Sequence, residues 1–446
     1  MNQDNFLVRF YRLAIVNILS NIMVPLAGLV SVAFLGHLGD IRYLAGVTLA
    51  TILFNYLYRG LGFLRMGTTG VTAQAVGRND TEAVLLVGLR NGITALVLGV
   101  VILLLQYPIR EFGLALVSAT AEVKASSISY YNTRIWGTPA VLINFVLIGW
   151  LLGKEESGKV FWMAMVGNIS NIILDYFLIV RWGWNSAGAG ISASVSQYLT
   201  LLLGLIFVGI SLPWKELRTV APQLRHLSAY RETFKLNGNI FIRTLAIIST
   251  FAIFTSLSAT LGTVALAENA VMLQVFYLTL FFFEGVGFAT ETLSGNFKGK
   301  ETNEQLIPLV SVSVGTSLVV GFLFALSCVL FPEALFGLLT DHQEIIQEIT
   351  HHVRWLLIVL VSSAIAFMLD GYFIGLSEGK IIRNVSVTAA LVGFSPVAFL
   401  GWYYHNNHIL WLSLSMFIGC RAILLVTQLP KTFKQSSVNS QQSTVQ

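Results

Sequence analysis

Twelve apolar runs divide this chain, at residues 13–36, 43–65, 84–107, 128–152, 160–181, 188–211, 240–261, 264–292, 305–331, 353–376, 383–404 and 408–429. Each is about as long as a helix must be to cross roughly 30 Å of hydrocarbon. Lipid offers the backbone no hydrogen-bond partner, so a spanning segment has to satisfy its own N–H and C=O groups, and runs of this length predict helices. Composition points the same way: 55% apolar and 11% charged residues leave too little polar surface to coat a soluble domain of 446 residues. The expected fold class is an all-α integral membrane protein with twelve transmembrane helices.

The runs fall into two sets of six, because the chain repeats itself. Gly60-Leu-Gly-Phe63 returns in the second half as Gly285-Val-Gly-Phe288, and each copy is followed at the same distance by a small pair, Thr69-Gly70 and Ser294-Gly295. Gly149-Trp-Leu-Leu-Gly153 with Glu156 returns at nearly the same separation as Gly371-Tyr-Phe-Ile-Gly375 with Glu378. Two well-separated matches that share almost one offset are the mark of an internal duplication. The expected organisation is a six-helix lobe at 1–211, a polar cytoplasmic linker at 212–237, a second six-helix lobe at 238–430 and a disordered tail at 431–446. Six spans return the chain to the side it started from, so the halves lie the same way up, the parallel kind of transporter repeat.

Lys and Arg outnumber their counterparts about three to one on the side that holds the amino terminus, with Arg9, Arg78, Lys154, Lys215, Lys298, Lys380 and Arg421 among them. The positive-inside rule then puts both termini in the cytoplasm. The net charge of +5 is read as an orientation device, so no nucleic-acid partner is expected. Met1–Phe10 lack signal-peptide architecture, and the protein is expected to be a multi-pass protein of the plasma membrane, in a bacterium the inner membrane.

Gly153-Lys-Glu-Glu-Ser-Gly158-Lys159 matches the core of a phosphate-binding loop, but Val160 stands where the metal-binding hydroxyl belongs and no strand precedes it. No nucleotide is expected. With no catalytic constellation in the sequence, neither is an enzyme. Cys328 and Cys420 both fall inside apolar runs and read as packing residues.

Ionisable groups inside a span are costly and therefore mark candidate functional sites. Asp175 lies in the fifth run, with Asn168 and Asn171 two turns and one turn before it, which puts all three on one helical face. A carboxylate beside amide oxygens can take up a proton or hold Na⁺ near Asp175 and Asn171; no structural metal is expected. In the second half, Glu284 and Glu291 share a face of the eighth run and Asp370 lies in the tenth. Arg243 is a candidate counter-charge, as are Arg59 and Arg65. Arg59 stands at the repeat position equivalent to Glu284, so the two halves carry opposite charges at matching places. The substrate-cleft candidates are Ser31, Asn144, Tyr56, Phe145, Phe276, Phe283 and the three arginines, an apolar and aromatic lining suited to organic cations. Pro25 removes one helix hydrogen bond in the first run and predicts a bend.

Leu19-Ser-Asn-Ile22 with Pro25-Leu-Ala-Gly-Leu29 and Leu35-Gly-His-Leu38, then Phe63-Leu-Arg-Met-Gly-Thr-Thr-Gly70, Ala73-Gln-Ala75 and Asn171-Ile-Ile-Leu-Asp175, resemble the multidrug and toxic compound extrusion (MATE) transporters, in their DinF-like branch. The resemblance covers nearly the whole chain. It implies the MATE/MOP-type fold, two six-helix bundles around a V-shaped cleft, and export of amphipathic, cationic compounds by alternating access in exchange for H⁺ or Na⁺, with no cofactor. It also implies an ion-responsive site in the first lobe, onto which Asp175 and Asn171 map, and a bend in the first helix, onto which Pro25 maps. In one respect the chain departs from the branch, which usually carries an aspartate where Ser31 stands. The loss of a carboxylate pair there shifts the expected coupling toward Glu284 and Asp370. The alternatives are a flippase of the same superfamily for lipid-linked sugars or oligosaccharides and, further off, a channel or a non-transporting membrane protein. A monomer in the lipid bilayer, taking small organic substrates, is expected.

Overall fold

The computed structural model describes residues 3–115, 119–211, 216 and 220–443. The regular secondary structure among them is helical, with helices long and apolar enough to cross a membrane at Phe6–Gly36, Ile41–Gly77, Thr81–Leu104, Ala121–Gly153, Ser157–Arg181, Asn185–Ser211, Tyr230–Thr260, Thr263–Gly299, Asn303–Leu330, Arg354–Gly375, Gly379–Tyr403 and Asn407–Phe433. Each coincides with one of the twelve expected runs. The second and eighth spans extend well past the apolar stretch, because Thr, Ser, Gly and Asn residues continue them. Those hydroxyls find partners on their own helix: Thr68 Oγ1 donates to the Leu64 carbonyl at 2.6 Å and Thr69 Oγ1 to that of Arg65 at 3.0 Å. A helix can therefore stay buried where hydropathy has already fallen.

The chain forms two compact units, Leu19–Phe234, and Met1–Ile18 together with Lys235–Gln446. The boundary lies inside the first span, not in the linker alone. Its amino half is committed to the second unit by contacts the sequence does not announce: Phe6 meets Phe297 with ring centres 6.0 Å apart, Arg9 Nη2 donates to Asn296 Oδ1 at 3.1 Å, and a Cβ on Gly285 would come within 2.6 Å of the Ile18 nitrogen. Of the expected linker, residues 212–215 and 217–219 lie outside the described residues. The remainder holds a 3-10 turn at Ala221–Arg225, and its end is absorbed by the helix Leu227–Thr260. The tail from Lys431, expected to be unstructured, continues the last helix to Ser443, since extending a formed helix needs no new nucleus.

Within each unit the two repeated motifs pack on one another. In the first, the fourth span lies against the second half of the second span, and in the second unit the tenth span lies against the eighth. A Cβ on Gly149 would stand 2.4 Å from the Arg65 oxygen, and one on Gly153 would stand 2.6 Å from Thr72 Cβ. Their counterparts are as tight: Gly371 would meet the Gly287 oxygen at 2.7 Å, and Gly375 would meet Ser294 Oγ at 2.0 Å. These are small-xxx-small seams, where missing side chains let two backbones approach.

The duplication is also written in the backbone. Among the described residues, the non-glycine positions in the left-handed region are Asn79, Glu155, Asn185, Glu301, Ser377 and His405. Asn79 pairs with Glu301 and Glu155 with Ser377 at one offset, and at the same offset His405 pairs with the left-handed Gly183. The first two pairs close helices with the same double bond: Asn79 N to Val76 O and Asp80 N to Ala75 O are matched by Glu301 N to Lys298 O and Thr302 N to Phe297 O. These are left-handed helix caps made without glycine. Each half also holds a π turn, though not at the repeat offset: Tyr176–Arg181 closes the fifth span and Ala389–Phe394 lies within the eleventh.

Glu156, in the turn after the fourth span, lies 3.0 Å from Lys154 Nζ and 2.8 Å from Lys159 Nζ. Burial pushes its carboxyl upward, but the bonds from Lys159 and Lys154 outweigh that and hold it below the ordinary carboxylate range. The Gly153–Lys159 segment is thus a charged turn between two helices.

Candidate functional site

Asp175 is the last α-helical residue before the π turn of the fifth span, and its side chain is 1% exposed. Ser31 Oγ, from the first span, donates to its Oδ2. The same hydroxyl lies 3.2 Å from the Ala27 carbonyl, so its one proton has two acceptors to choose between. Asp175 Oδ1 is buried with no hydrogen-bond donor. One turn back, Asn171 Nδ2 donates to Ser192 Oγ at 2.7 Å, and Ser192 Oγ donates to the Asn171 backbone oxygen at 2.9 Å. Ser192 belongs to the sixth span, so three helices meet at this carboxylate. All of these groups lie within the unit Leu19–Phe234.

A carboxylate in hydrocarbon with an unmatched oxygen is expensive while it is charged. A proton removes the charge; a hard cation among Asp175, Ser31 and neighbouring oxygens matches it. A π turn next to it adds freedom, since such turns open the regular ladder and recur at functional positions. Asn168 does not join the group. Its Nδ2 donates at 2.8 Å to the Ala164 oxygen of its own helix. The shared face read from the spacing is real, but the amide is turned away along it.

In the second unit, Asp370 is 2% exposed and lies between two arginines: Arg243 Nη2 and Arg421 Nη2 both donate to its Oδ2. The expected pairing with Arg243 is present. Arg421, a cytoplasmic basic residue by the charge asymmetry, is instead 1% exposed, its Cζ 5.6 Å from the ring centres of Phe367 and Phe417. The local signal is an arginine inside the apolar stretch Phe417-Ile-Gly-Cys-Arg-Ala-Ile. Two guanidinium groups on one carboxylate make Asp370 a structural anchor, with one positive charge in excess.

Glu291, close to a wet helix end by sequence, is enclosed at 1% exposure, and Glu284 is half-buried on the same helix. Arg65 is buried at 9%, while Arg59 is exposed. Among the cleft candidates, Tyr56 is exposed, Phe145 is half-buried, and Asn144 is buried with its Nδ2 donating to the Gln197 carbonyl at 2.9 Å. Phe276 and Phe283 are fully buried, Phe276 stacked on Phe251 with ring centres 5.2 Å apart. They are core of the second unit, and the correction has a plain cause: aromatic residues in a span read alike whether they face a cavity or a neighbouring helix. Pro25 lies inside an unbroken helix, Gln3–Gly36. Sequence reasoning misses Ser192 and the π turn, the first because serine is common in packed spans, the second because no residue type encodes it.

The MatE family model matches residues 17–177 and 240–399, one match in each half of the chain and together more than half of it. DNA damage-inducible protein F of Escherichia coli is 34% identical over 93% of this chain and 90% of its own length. The multidrug export protein MepA of Staphylococcus aureus is 22% identical, over 84% of this chain and 82% of its own length. Among solved structures, a MOP superfamily transporter from Pyrococcus furiosus superposes with a TM-score of 0.83 at 19% identity, covering 96% of this chain and 95% of that one.

Proposed function

Because the chain belongs to the MatE family, whose members are transporters and not enzymes, we propose that this multi-pass membrane exporter is a secondary active antiporter. It expels small amphipathic, cationic organic compounds by alternating access and takes up H⁺ or Na⁺ in exchange. Asp175 is the coupling group. The observation that carries this reading is its buried carboxylate, bonded by Ser31 on one oxygen and undonated on the other. A single charge moving through 100 mV is worth about 2.3 kcal/mol, enough to drive cargo uphill when coupled to such a group. The Lys and Arg asymmetry supports both termini facing the cytoplasm, in the bacterial inner membrane, with the transporter acting as a monomer.

Ser31 supports coupling through the first lobe and weakens the expected shift to the second. The missing aspartate is replaced by a hydroxyl that bonds the remaining carboxylate. The excess positive charge around Asp370 favours a second reading, a flippase for an anionic headgroup. Purified protein in liposomes separates the two. With proton and sodium gradients imposed one at a time, one of them drives uptake of a fluorescent organic cation and Asp175→Asn abolishes it. Translocation of a labelled anionic lipid without dye transport sinks the antiporter reading.

A further inference from the structure

At one end of the second unit, away from every group used above, Glu268, Glu348 and His352 converge. Glu268 sits near the start of the eighth span, while Glu348 and His352 lie on the short helix Gln343–His352 that leads into the tenth. One ligand atom from each lies within 4.8 Å of the other two.

Glu268 is 1% exposed, and Asn407 Nδ2 donates to its Oε2 at 3.1 Å. Its Oε1 stands 2.7 Å from His352 Nδ1 and pairs with it. His352 Nδ1 also lies 3.1 Å from the Glu348 backbone oxygen. Both oxygens only accept, so Nδ1 carries the proton they share, and a divalent ion bound there displaces it. A carboxylate steadied by an amide from a third helix is how a metal ligand is oriented from behind. His408 is no fourth ligand. Its ring lies 4.2 Å from that of His352, but Trp355 Nε1 donates to its Nδ1 at 3.2 Å.

We propose that Glu268, Glu348 and His352 form a binding site for a divalent transition-metal ion of the zinc class, with water completing the shell. One imidazole and two carboxylates suit Zn²⁺, Co²⁺ or Mn²⁺, whereas Mg²⁺ and Ca²⁺ favour all-oxygen shells. Ligands of a tetrahedral ion stand roughly 3.3 Å apart, so the trio closes by a small rotation of the exposed Glu348 side chain. The ion would neutralise the buried Glu268 and tie the Gln343–His352 helix to the eighth span. With the termini cytoplasmic, the site faces the outside of the cell.

The test uses full-length protein in nanodiscs with its purification tag removed, and Co²⁺ as a spectroscopic probe competed by Zn²⁺. One saturable site per chain is expected, with the intense absorption of a low-coordinate complex. Glu348→Gln, on an exposed residue that does not threaten folding, weakens binding tenfold or more, and His352→Gln removes it. His405→Ala leaves it unchanged. Chelation lowers the thermal midpoint of the wild-type protein but not that of Glu348→Gln. The proposal is overturned by absence of stoichiometric Co²⁺ binding, by equal binding in Glu348→Gln and wild type, or by Ca²⁺ competing as well as Zn²⁺.

Discussion

A serine in place of an expected aspartate proved more informative than the acidic residues around it. Ser31 is legible as a departure that removes half of a carboxylate pair, and Asp175 as the costly charge left behind, but the bond between them is not legible. At this scale the two buried aspartates part company. Asp175 has one protein donor in Ser31 and an undonated oxygen, and Asp175→Asn should leave a folded, inserted protein that no longer couples efflux to an ion gradient. Asp370 holds Arg243 and Arg421, and removing it strands two buried cations, a loss of about 3–5 kcal/mol. Asp370→Asn should therefore fail first in yield and thermal midpoint, before any transport assay. A well-folded Asp370→Asn protein with selectively lost transport would return this residue to the coupling machinery. Ser31→Ala removes one charge-assisted bond and should cost about 1–3 kcal/mol, visible as altered ion dependence with dye binding retained.

Helices are the most legible elements, because the twelve runs follow from hydrocarbon thickness alone. Their interruptions are not, since caps and π turns depend on backbone hydrogen bonds that several residue types satisfy equally. Glu301 is exposed and holds φ at 61°. Glycine carries no Cβ penalty there, so Glu301→Gly should raise stability by about 0.5 kcal/mol net of its entropy cost, read as a higher thermal midpoint in detergent. The reverse applies at the seams. A Cβ at Gly375 would lie 2.2 Å from the Glu291 carbonyl, and Gly375→Ala should cost about 1–3 kcal/mol, the overpacking penalty. Gly315 has open space around it, and Gly315→Ala is the neutral control. Pro25→Ala gives Asn21 O a backbone donor it now lacks. If dye binding and efflux are both unchanged in that protein, the proline only shapes the helix and has no part in switching.

For the whole molecule, the repeat is readable from two short motifs, and the paired family match agrees with it. The assignment of Met1–Ile18 to the second unit is not readable, because an apolar helix face does not name its partner. Orientation can be checked directly. With Cys328 and Cys420 replaced by serine, a cysteine at Glu301 should react with an impermeant thiol reagent only in inside-out vesicles, and one at Tyr404 only from outside. Labelling of both from one side would undo the topology.

The two π turns carry a historical consequence. Such a turn is an α-helix holding one surplus residue, so it records an insertion. Tyr176–Arg181 and Ala389–Phe394 do not occupy matching places in the two halves: the first closes the fifth span, beside Asp175, and the second lies in the middle of the eleventh, before the helix Ser395–Tyr403. Two insertions at different places, each later than the doubling of the chain, account for them, and the one in the fifth span arose beside Asp175. Deleting Phe177, whose side chain is exposed, should then be absorbed by rewinding to α geometry, where the same deletion in the regular stretch before Asp175 would throw every later side chain out of place.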